Sequence, residues 1–98
     1  MIIKEILSEL DTKNHPVAKE LYKKEGFKVL VLAFKKEMIL KEHKANEPTK
    51  LVVLDGRVFY KSKAEEIILD KYDEFDIPVN DLHAVHALED SLCMLLQG

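Results

Sequence analysis

With a single cysteine, three glycines, three prolines and no tryptophan, the 98-residue chain lacks most residues that mark specialised folds. Cys93 has no partner for an internal disulfide. It lies in the apolar run Leu92-Cys93-Met94-Leu95-Leu96, where a small buried thiol fits better than a reactive one, so the expected compartment is a reducing one, the cytoplasm. No apolar run approaches the ~20 residues of a membrane-spanning helix, and Met1-Ile2-Ile3 is followed at once by Lys4 and Glu5, unlike a signal peptide's apolar region. No membrane partner is expected. Positive charge is not in surplus either: 15 Lys and Arg face 18 Asp and Glu, a formal net charge of −3. Nothing here would grip a phosphate backbone, and nucleic acid is not an expected partner. There is no glycine-rich phosphate loop, cysteine pair or recognisable Ser or Cys nucleophile motif.

What is present is an ordinary globular composition, 47% hydrophobic and 34% charged, in a chain long enough for one core and too short for two. Ile3, Ile6, Leu7 and Leu10 recur at helical spacing, so a short N-terminal helix is expected before the break at Asn14-His15-Pro16. Val17 to Lys24 reads equally as helix or strand. From Phe27 onward the pattern is extended structure punctuated by turns. Lys28 to Phe34 is apolar on both faces, as in a strand covered by a second sheet or a partner subunit. Leu51-Val52-Val53-Leu54, Asp55-Gly56 and Arg57-Val58-Phe59-Tyr60 predict a two-residue β-hairpin. A looser turn at Ser62-Lys63-Ala64 leads to Glu65–Leu69; Tyr72–Ile77, His83–Leu88 and Leu92–Gln97 are further strands, the last two separated by the turn at Glu89-Asp90-Ser91. Many short strands without room for crossover helices argue for an all-β barrel or sandwich, residues 27–98, preceded by an arm of residues 1–26.

Two segments carry a resemblance. Glu37, five residues, His43, one residue, Ala45, three residues, Thr49, six residues and Gly56 match the spacing of one motif. Tyr72, five residues, Pro78, one residue, Asn80, two residues and His83 match another. These resemble the two motifs of small single-domain cupins, Gly-x5-His-x-His-x3,4-Glu-x6-Gly and Gly-x5-Pro-x-Gly-x2-His. Asn80 replaces a glycine conservatively, since Asn tolerates positive φ; Tyr72 does so less readily. The resemblance implies a double-stranded β-helix, the cupin or jelly-roll barrel of the RmlC-like kind. In that family, two His and a Glu from the first motif and a His from the second hold a divalent metal inside the barrel. Here His43 and His83 remain, with Ala45 and Thr49 at the other two positions, one ligand short of the three protein ligands usual in catalytic sites.

The resemblance therefore implies that His43 and His83 point inward and meet. Tyr60, on the same face as Val58, would add a hydroxyl, and Thr49 would join them around a small-molecule ligand. Glu47 is either a third metal ligand for Zn, Fe, Mn or Ni on a bent strand, or part of a solvated loop next to Pro48. His86, three residues beyond His83, falls on the opposite face. Two functions follow from this reading: a non-catalytic small-molecule binder, or a metal-dependent isomerase or oxygenase acting on a small organic acid or sugar derivative. A barrel that serves only for association is a third. Leu30, Leu32, Phe34, Val52, Leu54 and Phe59 cannot all lie inside one small barrel, so an apolar outer face and a homodimer are expected, with Val17–Tyr22 a candidate for an exchanged strand.

Overall fold

Alternation of inward and outward side chains organises the chain after Pro16 into nine strands, described for residues 1–98 by a computed structural model. In order they are β1 (Val17–Lys24), β2 (Phe27–Phe34), β3 (Ile39–His43), β4 (Thr49–Asp55), β5 (Arg57–Ser62), β6 (Glu66–Asp70), β7 (Glu74–Ile77), β8 (His83–Ala87) and β9 (Ser91–Gln97), preceded by helix α1 (Ile2–Leu10). All pairings are antiparallel. A five-stranded sheet runs β1-β2-β9-β4-β7 and a four-stranded sheet runs β3-β8-β5-β6. The two face each other around one core, as expected from the all-β reading.

Pairing register stacks that core in layers. Leu32, Cys93 and Val53 are neighbours across the larger sheet and sit with Val58, Ala87 and Leu69 of the smaller one in a single buried cluster. The next layer joins Leu30, Leu95, Leu51 and Phe75 to Leu40, Val85, Tyr60 and Ile67. Both layers are apolar apart from the Tyr60 hydroxyl, and the barrel is filled there rather than hollow. Burial also pushes the Cys93 thiol up to about 12, so it is an inert core atom.

Three local expectations change. Val17–Lys24 is a strand, β1, which pairs with β2 of its own chain through a turn at Gly26, so the boundary drawn between residues 26 and 27 falls inside a hairpin. The second face of β2 is covered by the chain's own helix rather than by a second sheet. Val31 and Ala33 pack under Ile6 and Leu10 of α1, with Val17, in a separate small core. Asp55-Gly56 is a turn but not a hairpin: β4 and β5 lie in opposite sheets and make no ladder with each other. Gly56 is left-handed, at φ 86°, and passes so close to Asp90 and Ser91 that a Cβ would lie 2.3 Å from the Asp90 carbonyl oxygen. Ser91 Oγ accepts from the Arg57 amide and Leu88 donates to the Arg57 carbonyl, holding this corner against the β8–β9 corner. An Asp-Gly pair reports the left-handed turn, whereas long-range pairing decides which strands lie beside each other.

Candidate functional site

One end of the barrel differs from the rest. The last inward row of the larger sheet reads Lys23, Lys28, Gln97, Thr49 and Ile77 in register across all five strands. Opposite it, the last row of the smaller sheet reads His43, His83 and Ser62. A polar layer thus closes a barrel that is apolar below it.

His43 reaches this row through an irregularity. Leu40 pairs with Val85 and His43 with His83, so three residues of β3 span what two span in β8. Strict alternation from the exposed Ile39 would turn His43 outward; the bulge re-aims it inward. The loop after Ile77 is tied to the β3–β4 loop by the Asn80 amide, which donates to the Ala45 carbonyl at 2.8 Å. The imidazoles of His43 and His83 then meet, with ring centroids 4.3 Å apart and planes tilted by 55°.

Both rings are oriented the same way. His43 Nδ1 lies 2.9 Å from the Lys41 carbonyl oxygen, and His83 Nδ1 lies 2.8 Å from that of Asp81. A carbonyl can only accept, so in each neutral ring Nδ1 carries the proton and Nε2 keeps its lone pair. No fully buried side-chain nitrogen or oxygen lacks a partner. His83 Nε2 has none although the residue is 2% exposed, so that atom meets solvent at the opening. Burial holds the His83 imidazole below its ordinary pKa; the Asp81 carbonyl opposes this and the neighbouring His43 adds to it.

Tyr60 lies beneath. Its ring stacks on His83 at 5.0 Å and tilts against Phe75 at 4.6 Å, and the residue is completely buried. Its hydroxyl donates to Asp81 Oδ2 at 2.7 Å, and burial, reinforced by that carboxylate, raises the phenol well above its ordinary pKa. Tyr60 is therefore a packed support for His83 rather than a free pocket hydroxyl, and no cavity of the molecule is lined by Tyr60, His43 or His83. Asp81, absent from the sequence expectations, joins the group. The only available signal was its position two residues before His83, which gives it the same inward parity.

Thr49 is buried in the row, donating to the Glu47 carbonyl at 3.0 Å and accepting from Gln97 Nε2 at 3.3 Å. Glu47 is exposed in the loop and does not join the histidines; the solvated-loop alternative describes where it stands. No group of three or more His, Cys, Asp or Glu side chains is placed to hold a metal ion. Two imidazoles, a threonine engaged elsewhere and an alanine do not fit the four-ligand metal set of the motif.

The backbone conformation follows the spacing of the two motifs. Glu37, Gly56, Tyr72 and Asn80, at φ of 75°, 86°, 74° and 63°, stand at the four glycine positions of the two motifs, and Gly26 is the only other left-handed residue.

No family model and no curated protein matches the chain. Solved structures do. An RmlC-like cupin from Desulfovibrio desulfuricans superposes with a TM-score of 0.78 at 23% identity, covering 86% of this chain and 82% of that one. A cupin superfamily protein from Desulfitobacterium hafniense DCB-2 gives 0.79 at 15% identity, covering 87% and 78%. A cupin-2 domain containing protein from Shewanella frigidimarina gives 0.75 at 14%, covering 96% and 89%. The class is thus a double-stranded β-helix of two facing antiparallel sheets with one short N-terminal helix. Within that class, this is a small protein of cupin fold.

Proposed function

We propose that the protein is a non-catalytic, small-molecule-binding cupin whose ligand sits at the polar end of the barrel, above the packed interior and not within it. The supporting observation is the pair of imidazoles meeting in the polar layer at one end of the core, each with Nδ1 on a backbone carbonyl, which leaves Nε2 of the neutral ring free to accept. A hydroxyl or amine of a ligand would donate to these atoms, while Thr49 and Gln97 lie across the opening. Asp81, Tyr60 and the backbone carbonyls hold the rings in place, which lowers the ordering cost of binding. The proposal includes a homodimer in a reducing cytoplasm, in keeping with one buried free thiol and an uncovered apolar sheet face.

The alternative is a metal-dependent isomerase or oxygenase. In its favour, Nδ1–H bonded to a carbonyl is the tautomer that a metal-ligating histidine adopts. Against it stands the missing third ligand, and no chemical step follows from the residues present.

Native mass spectrometry and elemental analysis of the purified protein, with a His43→Ala, His83→Ala double variant beside it, test the reading. The expected result is a retained small molecule, lost in the double variant, without stoichiometric metal. Stoichiometric Zn, Fe, Mn or Ni that disappears in the double variant would overturn it in favour of the metalloenzyme.

A further inference from the structure

The outer face of the smaller sheet is patterned as well as uncovered. Helix α1 lies on the larger sheet. On the smaller one, Ile39, His86, Phe59 and Ile68 stand in register across β3, β8, β5 and β6. The row reads aliphatic, ring, ring, aliphatic from either edge. Its outer members, Ile39 and Ile68, are half-exposed, and its inner ones are partly covered by their neighbours. A pattern that reads the same in both directions suits packing on a copy of itself, since an isologous interface sets each residue against its counterpart from the other end of the row. A foreign partner imposes no such requirement.

Sheets packed face to face lie about 10 Å apart with strands aligned to within about 30°, which leaves two directions for the twofold axis. The charged rows flanking the apolar one distinguish them. On one side stand Leu88, Arg57 and Asp70, with Glu37 beyond Leu88 and 3.6 Å from His86. On the other stand Ala84, Lys61 and Glu66, with Lys41 and Glu42 in the bulge of β3 beside Ala84. An axis across the strands lays the first charged row on the second. Arg57 then meets the partner's Lys61, and Asp70 meets the partner's Glu66, and the symmetry repeats both like-charge pairs. An axis along the strands, between β8 and β5, lays each row on its own reverse. Lys61 then faces the partner's Ala84 beside the partner's Glu42, Glu66 faces the partner's Lys41, and Arg57 faces the partner's Leu88. Asp70 approaches the partner's Glu37 only at the rim, where Arg57 already pairs with Asp70 in its own chain. Like charges set opposite each other exclude an arrangement more strongly than rim pairs favour one, so the axis along the strands is selected.

We infer that two copies of the chain pair through this face about a twofold axis parallel to the strands, with Ile39 on the partner's Ile68 and His86 on the partner's Phe59. The inference rests on the homodimer of the proposed function and adds its face, its axis and its contacts. The apolar row forms the centre of the interface, and the contacts of Glu66 with the partner's Lys41 and of Lys61 with the partner's Glu42 form its polar rim.

The test is sedimentation equilibrium of the full chain beside three variants, Ile39→Glu, Ile68→Lys and the two substitutions combined. The unaltered chain should sediment as a dimer. Each single variant should raise its dissociation constant by about thirtyfold or more, since an unpaired charge enters the apolar row. The combined variant should return to within about tenfold of the unaltered chain, because the axis along the strands sets each new carboxylate on a new ammonium. Ile39 and Ile68 lie on the two edge strands of the sheet, too far apart for such a rescue inside one chain. Unaltered far-ultraviolet circular dichroism verifies that each variant is folded. An unaltered chain that is monomeric would overturn the homodimer itself, and this inference with it. A dimer that both single variants leave intact would keep the homodimer and overturn this face. Dissociation in the combined variant as well as in the single ones would keep the face and overturn the axis.

Discussion

Tyr72 holds a conformation that costs a side-chain-bearing residue about 1–2 kcal/mol, and it does so with 76% of its surface exposed. Its amide donates to the Val53 carbonyl, so the turn is needed even though the tyrosine is not. Tyr72→Asn should therefore stabilise the protein by about 0.5 kcal/mol, read as a raised urea midpoint with an unchanged slope. Gly56→Ala should do the reverse and cost at least ~2 kcal/mol, because it combines positive φ with a Cβ pressed on Asp90 and Ser91. At His83 the folded state favours the neutral ring, so its pKa lies below that of the unfolded chain. Its contribution is complete above the unfolded value of 6.5 and is lost as the pH falls through the lower folded value. Thermal melts should show stability declining below pH 6.5, and a His83→Gln variant should flatten that decline.

Among the elements, α1 and β3 mark the two limits of what the residue pattern conveys. The helix is legible, since Ile3, Ile6, Leu7 and Leu10 repeat at helical spacing. What it covers is not, because a helix's apolar stripe does not name its partner. The apolar second face of β2 has the same ambiguity, and the two features resolve each other only when α1 lies over Val31 and Ala33. Ile6 is completely buried there, so Ile6→Ala should cost about 2–4 kcal/mol in a denaturant titration. Strand β3, Ile39-Leu40-Lys41-Glu42-His43, lacks both alternation and β-branched runs beyond Ile39. It becomes visible only through motif spacing, and the bulge that turns His43 inward leaves no local signature. The motif resemblance implied that His43 and His83 point inward, and their rings lie 4.3 Å apart; parity with Val58 turned Tyr60 inward. Neither foretold that Tyr60 would be sealed by Asp81, or that β4 and β5 would separate at Asp55-Gly56, since both depend on contacts distant in sequence.

For the molecule as a whole, the outer face of the smaller sheet carries a row of Ile39, His86, Phe59 and Ile68 across all four strands. Ile39 and Ile68 are 50% and 53% exposed. The proposed homodimer places two such rows together, and Ile68→Lys should yield a monomer in sedimentation equilibrium; an unchanged mass would assign the dimer to another face. The five-stranded sheet has a further consequence. Its middle strand, β9, is supplied by Ser91–Gln97, so β2 and β4 remain without their shared neighbour until those residues are made. During synthesis on the ribosome the larger sheet cannot assemble stepwise from its N-terminal side, and the nascent chain keeps two half-paired apolar strands open until Gln97 has emerged from the exit tunnel.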